Sequence, residues 1–162
     1  MRVSGGLTPG IATMVGTEPA LAGYAESVNA TLTDIFAALK TFRADWMARG
    51  WSWDRRFECA ASTFDLSEVA EAERLVEAAF PFQYRERTIA RAPELVGEVA
   101  RFTEGVRKDQ RLYARGDESI LAYGLWWPWG GEVTNISMRI GLAGDVRGEH
   151  VFELQKLFGA LD

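Results

Sequence analysis

The chain has 162 residues, of which 48% are hydrophobic and 25% are charged, and its formal net charge is −5. This length and composition suit one ordinary globular domain with a hydrophobic core, and they exclude a disulfide-stapled mini-protein and a wholly disordered chain. Cys59 and His150 are the only cysteine and histidine. They exclude an intramolecular disulfide and leave too few ligands for a zinc module, so we predict no metal and no cofactor. The alternative is a Mg²⁺ or Ca²⁺ site made of carboxylates, for which no calcium-loop motif is present.

Charge and hydropathy also bear on partners and location. No run approaches the roughly 20 apolar residues that a transmembrane helix needs, and residues 1–16 lack the features of a signal peptide. We therefore expect a cytoplasmic protein without a membrane segment. The negative charge makes nucleic acid an unlikely partner and mildly favours a basic protein. Of the 18 basic residues, 15 are arginine, a skew that fits a GC-rich bacterial coding preference.

The first part of the chain predicts a leader and a long helix. Residues 1–16 contain glycine and proline without periodicity, which predicts a flexible leader before a single domain over residues 17–162. Thr17-Glu18-Pro19 is a typical helix start. Apolar residues then recur every three or four positions as far as Gly50, so we predict a long amphipathic N-terminal helix.

The middle of the chain alternates between strand and helix patterns. Alternating residues predict strands over 51–64, with Cys59 as a small buried hydrophobe, and over 82–89. A capping box at Asp65–Glu68 predicts a second helix between them. Pro93 as a helix start and Gly116 as a helix end predict a third helix over 93–116.

The last part predicts a hairpin and a final helix. Residues 120–127 are apolar on both faces, as in a central strand, and residues 133–142 alternate behind a turn that contains Trp129. Glycines then lead into a helix with Asp145 as its N-cap. The predicted fold is α+β: a mixed sheet of about four strands with a late antiparallel hairpin and helices packed on the sheet. The predicted strands over 51–64 and 82–89 are joined through a helix, so they can be parallel to each other.

Five of the six tryptophans lie in two short segments, Trp51-Ser52-Trp53 and Trp126-Trp127-Pro128-Trp129. Neighbouring strand residues point to opposite faces, so Trp126 and Trp127 cannot both fill one core layer. We expect one of them, or Trp129 at the turn, to face solvent, where tryptophan beside arginine is typical of a protein interface. The alternative is that all of them pack in the core and the turn.

Charged segments are the second candidate site. The segments 54–56 and 85–87, rich in arginine, would form a polar groove for an anion or an acidic peptide if their strands pair. The alternative is a set of cross-strand ion pairs on a solvated face. Segment 101–115 is the only basic patch, and we interpret it as the solvated face of the third helix.

No motif identifies a family or a catalytic set, which leaves two main hypotheses, with nucleic-acid binding through residues 101–115 ranked after them. The first is a non-catalytic protein-binding domain, such as an inhibitor, an immunity-type protein or an adaptor, that uses exposed tryptophan anchors and an acidic surface. The second is a small-molecule-binding protein or a metal-independent enzyme, with a pocket in which Arg55 or Arg87 fixes an anion. The side chains that would line this pocket are Trp53, Trp126, Trp129 and Tyr123. A flat aromatic patch would support the first hypothesis, and a deep closed cavity the second. The candidate binding residues are Trp53, Arg55, Arg87, Trp126 and Trp129.

Overall fold

A computed structural model describes residues 3–47, 50–129 and 132–161, with side chains from residue 22 onward. The chain divides into two compact units, Met1–Ala30 and Thr31–Asp162. The helices are α1 (Val3–Asp45), α2 (Val69–Ala79), α3 (Glu94–Phe102) and α4 (Gly148–Phe158). The strands are β1 (Ser52–Asp54), β2 (Cys59–Asp65), β3 (Phe82–Tyr84), β4 (Arg111–Gly116), β5 (Ile120–Trp129) and β6 (Asn135–Gly144).

The N-terminal helix is longer at its start than its sequence pattern predicts. It begins at Val3 instead of Thr17 and ends at Asp45 before Gly50. A capping pattern shows where a helix can begin, and it does not prevent an earlier start. Within the second unit the predicted periodicity is confirmed, because Ile35, Leu39 and Phe42 are all buried. The division into a flexible leader over 1–16 and one domain over 17–162 stays a prediction.

The predicted α+β class is confirmed, but the sheet has six strands in the order β1-β2-β6-β5-β4-β3. Every neighbouring pair is antiparallel, so the described strands contain no parallel pair. Strands β2 and β3 do run in the same direction, as their helical connection favours. They are not neighbours, because the β4–β5–β6 meander lies between them.

The region predicted as one strand over 51–64 is two strands joined by a turn at 55–58. The Asp54 carboxylate accepts hydrogen bonds from the backbone amides of Arg56 (2.8 Å) and Phe57 (3.3 Å). Glu58 then adopts a left-handed backbone conformation with φ of 49°. These two features turn the chain back on itself and pair β1 with β2.

The third helix ends at Phe102, well before the predicted Gly116. In the loop 103–110, Glu104, Gly105 and Asp109 have positive φ values of 71°, 86° and 68°, which no α-helix can contain. Strand β4 follows this loop and is absent from the sequence prediction. The basic segment 101–115 is therefore a helix end, a loop and a strand, and the prediction that it lies on a helix is wrong.

Each face of the sheet carries its own core. On the first face, α1, α2 and α4 pack over side chains such as Phe64, Trp126 and Met138. On the second face, α3 packs over β4 and β5, whose Leu112 and Leu125 are buried. The prediction that residues 120–127 form a central strand covered on both faces is confirmed.

Polar contacts join α1 to the β4–β5 turn. Arg115 donates two hydrogen bonds to Asp34, at 2.9 and 3.0 Å, and these lower the pKa of the Asp34 carboxyl. Thr31 donates to Asp117 at 2.8 Å, and the backbone amides at 119–120 donate to the same carboxylate. Burial opposes ionisation of Asp117, but these hydrogen bonds outweigh it and lower its pKa.

Candidate functional site

The part of the second face formed by β1, β2 and β6 is a shallow surface of small side chains. Strand register places Ser52 opposite Ala61, and Thr63 opposite Ser137. Ser52 and Thr63 are exposed, whereas Ser137 is buried. We call the surface formed by Ser52, Ala61, Thr63, Ser137 and Arg139 the open face. It lines a cleft of about 370 Å³ that Trp129 borders.

Arg139 is held at the centre of the open face by three neighbours. Its guanidinium forms an ion pair with Asp54, and its Nε donates to the Ser137 hydroxyl at 3.2 Å. The guanidinium also lies 5.0 Å from the centre of the Trp127 ring, within cation–π distance. Burial lowers the pKa of Arg139. The side chains of Arg139 and Asp54 are only 14% and 21% exposed, so they form a rigid, mutually neutralising pair.

An aromatic row continues from Trp127 across the second face. The Phe57 ring lies edge-on to Trp127, with ring centres 5.6 Å apart, and edge-on to Phe102, at 5.9 Å. Trp129 lies two residues after Trp127 on the same side of β5, and 51% of its surface is exposed. The predicted exposure of the Trp129 indole is thus confirmed.

A second cleft, of about 220 Å³, lies between the turn 55–58 and the loop 103–110. Arg56 on the turn and Glu104 on the loop form an ion pair that joins these segments. Trp127 and Trp129 both line this cleft. Trp129 therefore borders two clefts, one with an aromatic and charged lining and one with a floor of small side chains.

The structure separates the five predicted binding residues. Trp126 is 2% exposed and packs on the first face, 5.2 Å from Phe64 between ring centres, so its surface is not available to a partner. Trp53 is half-buried against the same core. Arg55 is exposed in the β1–β2 turn, and Arg87 is exposed after β3. Only Trp129 combines exposure with a place between clefts.

Two predicted arrangements are not formed. The groove between segments 54–56 and 85–87 is absent because β1 and β3 lie at opposite edges of the sheet. The pocket predicted from Trp53, Trp126, Trp129 and Tyr123 is absent because the first two side chains lie on one face and the last two on the other. Tyr123 is itself buried and donates to the Phe57 carbonyl at 3.1 Å.

Sequence reasoning missed the contact between Asp54 and Arg139. The alternation of β6 does indicate that Ser137 and Arg139 share a polar face. However, the side chains that lie beside Ser137 and Arg139 depend on how β6 aligns with β2, and the sequence of β6 alone does not specify that register. The role of Phe57 as a link between Trp127 and Phe102 was missed for the same reason.

The thiol, the imidazole and the acidic residues are the remaining candidates for chemistry. Cys59 is buried, and burial raises its pKa to about 12. His150 accepts a hydrogen bond from the backbone amide of Arg147, which caps α4, so the prediction that Asp145 is the N-cap is wrong. Within residues 3–47, 50–129 and 132–161, no group of three or more His, Cys, Asp or Glu residues could hold a metal ion. In the same ranges we find no helix with the length and apolar character to cross a bilayer.

Comparison with known protein families, curated proteins and solved structures finds no match to this chain. Its function must therefore be argued from the geometry of the open face and the two clefts. These surfaces offer an exposed indole, a fixed ion pair and small hydroxyl side chains. Such groups bind by apolar contact and hydrogen bonding.

Proposed function

We propose that this protein is a non-catalytic protein-binding domain, of the kind found in inhibitors, immunity-type proteins and adaptors. The partner binds over the open face and the two clefts. The observation that carries this proposal is the exposure of Trp129 between the clefts. Tryptophan is enriched among the residues that dominate binding energy, because it buries a large rigid surface at a small entropic cost.

The surroundings of Trp129 support this role. The indole extends from a strand whose residues pair with β6 as far as Trp129 and Asn135, so its backbone is fixed before binding. A fixed anchor loses little conformational freedom when a complex forms. The small side chains of the open face leave room beside the indole for side chains of the partner. Both clefts are open to solvent, which suits a protein surface better than an enclosed small ligand.

Charge suggests how the partner is attracted. Arg139 and Asp54 neutralise each other, so the open face supplies little net charge of its own. The whole chain carries −5. Its long-range field therefore favours a basic partner, while the open face supplies the close contacts. We place this activity in the cytoplasm of a bacterial cell.

The test begins with a photo-crosslinking residue in the native host. p-Benzoylphenylalanine replaces Thr63 on the open face or, as a control, Phe152, which is also exposed, on α4. We expect a partner that crosslinks from position 63 and does not crosslink from position 152. Mass spectrometry identifies it, and the purified partner is then used for affinity measurements.

The decisive measurement is the affinity of the purified partner for two variants. We expect Trp129→Ala to weaken binding by about 30-fold, which corresponds to about 2 kcal/mol. Phe152→Ala, which removes an aromatic ring of similar exposure, should leave affinity within about twofold. An unchanged affinity for Trp129→Ala would reject Trp129 as the anchor.

One observation favours small-molecule binding as a second candidate function. A cleft of about 380 Å³ near the start of α4 is lined by apolar residues such as Tyr123 and Val151 together with the charged Glu58 and Arg147. This combination could hold a small amphipathic ligand. A thermal-shift screen of metabolites would show a stabilising ligand, whose effect Arg147→Ala but not Trp129→Ala should remove.

A further inference from the structure

We propose that the β3 edge of the sheet binds an extended acidic segment of a partner protein, which pairs with β3 as an additional strand. This surface lies at the opposite edge from β1. The inference uses neither Trp129 nor the open face, so it stands or fails independently of the function proposed above.

The backbone of β3 is available for pairing. β3 is the last strand in the sheet order, and it pairs only with β4, from Phe82 opposite Ala114 to Tyr84 opposite Leu112. Such an edge leaves alternate backbone N–H and C=O groups unpaired, and an extended peptide can add to it. Phe82 is 52% exposed and offers an apolar contact to an added strand.

The two edges of the sheet differ in how they are protected. At the β1 edge, Asp54 points onto the second face and pairs with Arg139, and inward-pointing charge is a known protection against strand addition. Strand β3, Phe82-Gln83-Tyr84, contains no charged residue. The β3 edge therefore lacks the inward-pointing charge that protects the β1 edge.

The charges beside β3 favour an acidic partner. A cleft of about 380 Å³ lies between the turn 85–88 and the loop that precedes β4. Among its lining residues, Arg85, Arg87 and Lys108 outnumber Glu86 and Asp109. In the ranges that the structure covers, Arg87 and Lys108 form no ion pair within 4.0 Å.

The turn is ordered before any partner binds. The backbone amide of Arg85 donates to the Thr88 hydroxyl at 2.8 Å, and the amide of Ile89 donates to the Arg85 carbonyl at 2.9 Å. These bonds hold Arg87 in an ordered turn at the end of β3. Carboxylates on an added strand can therefore meet cations in an ordered segment.

Protein fits this surface better than nucleic acid. The cations are few and stand among carboxylates, so a phosphate backbone, with a charge at every nucleotide, would extend beyond them over a surface that is negative as a whole, whereas a short acidic segment need not. In contrast, an extended peptide can use both the edge backbone and the local positive charge.

The probe is a short fluorescent peptide of alternating glutamate and valine, measured by fluorescence anisotropy. We expect it to bind, to bind more weakly as salt is raised, and to slow amide exchange of residues 82–84. The matching lysine–valine peptide and an oligo-dT strand should bind at least tenfold more weakly. Absence of binding, equal binding of the lysine–valine peptide, tighter binding of oligo-dT, or unchanged exchange at 82–84 would overturn the proposal.

Variants locate the site of binding. Arg87→Glu combined with Lys108→Glu should weaken peptide binding by about tenfold or more, because two attractive charges become repulsive. Arg91→Glu, on an exposed position outside the cleft lining, is the matched control and should change affinity by less than about twofold. Arg87→Gln combined with Lys108→Gln provides a milder variant, and melting curves confirm that each variant folds. A loss of equal size in the Arg91→Glu control would also overturn the proposal.

Discussion

The three tryptophans at the end of β5 should contribute very differently to stability. Trp126 is 2% exposed on the first face, where the Arg111 guanidinium lies 4.5 Å above its ring. Trp127 is half-buried on the second face, and Trp129 is half exposed there. Replacing each by alanine in turn measures how well each face is covered.

The magnitude follows from the buried surface. A buried tryptophan removes about 150–250 Å² from water, worth about 4–6 kcal/mol at about 25 cal/mol per Å². Part of this surface is already buried in the unfolded chain, and alanine keeps a part of it buried, so the free energy lost is smaller than this. Trp126→Ala should destabilise the protein by about 3–5 kcal/mol. Trp129→Ala should cost about 1–2 kcal/mol, because about half of its surface is buried. Trp127→Ala should fall between them.

Loss of the Trp126 ring also changes the surroundings of Arg111. The Arg111 Nη1 donates to Glu73 at 2.7 Å and to the Tyr113 hydroxyl at 3.1 Å, but its buried Nε has no hydrogen-bond partner among the residues that the structure describes. Without the indole, this guanidinium would border a cavity. Trp126→Phe keeps a ring in place and should therefore cost clearly less than Trp126→Ala.

Urea denaturation and thermal melting check these values. At roughly 2–4 °C per kcal/mol for a chain of this size, Trp126→Ala should lower the Tm by about 6–20 °C, and Trp129→Ala by about 2–8 °C. Equal losses for the two alanine variants would refute the reasoning, because they would mean that Trp129 is covered as completely as Trp126.

Three further predictions test the polar contacts and the thiol. Asp54→Ala should cost about 2–3 kcal/mol in urea denaturation, because it leaves Arg139 without its carboxylate, and a double-mutant cycle with Arg139→Met that shows no coupling would contradict this. Cys59 should not react with a thiol reagent at pH 8 until the protein is unfolded, because burial raises its pKa to about 12, and rapid reaction of the native protein would contradict the structure. Hydrogen bonds from Thr31 and from the turn that follows Asp117 outweigh burial and lower the pKa of the Asp117 carboxyl. The ionised carboxylate therefore stabilises the fold at pH values above its ordinary pKa of 3.8, and this stabilisation is lost as pH falls below 3.8. Stability measured against pH should therefore fall less steeply below about pH 4 in Asp117→Asn, and identical profiles would contradict the assignment.

The parts of the fold that local sequence controls were predictable. The capping box forms as expected, because the Ser67 amide donates to Asp65 at 2.9 Å and the Asp65 amide donates to Glu68 at 3.2 Å. Local sequence failed at the end of the third helix. There Glu104 and Asp109 adopt left-handed conformations that non-glycine residues seldom show, so Gly105 is the one residue type that signals the end of the helix.

The candidate site was predictable only in its single residues. Trp129 could be expected in solvent because it lies at the end of a hairpin. The open face depends on contacts between distant segments, such as Thr63 opposite Ser137. These contacts follow from the insertion of the meander between β2 and β3, which alternation along one strand cannot reveal.

The open face follows from the size of α3. This helix has nine residues and is about 13 Å long, whereas six strands about 4.8 Å apart span about 24 Å. A helix about 10 Å wide covers about two strands, and α3 covers β4 and β5. The residues of the strands match this coverage. On the second face, leucines lie under α3, and small or polar residues such as Thr63 and Ser137 lie elsewhere.

Trp129 does not follow this division between a covered apolar half and an open polar half. It is a large apolar side chain at the border of the open face, and half of its surface remains in water. Burial of the Trp129 side chain contributes less to folding than burial of Trp126 does. A polar residue at position 129 would suit the open half of the sheet as well as Ser137 does. Contact with the proposed partner would remove the indole from water and give this tryptophan the burial that the fold itself does not provide.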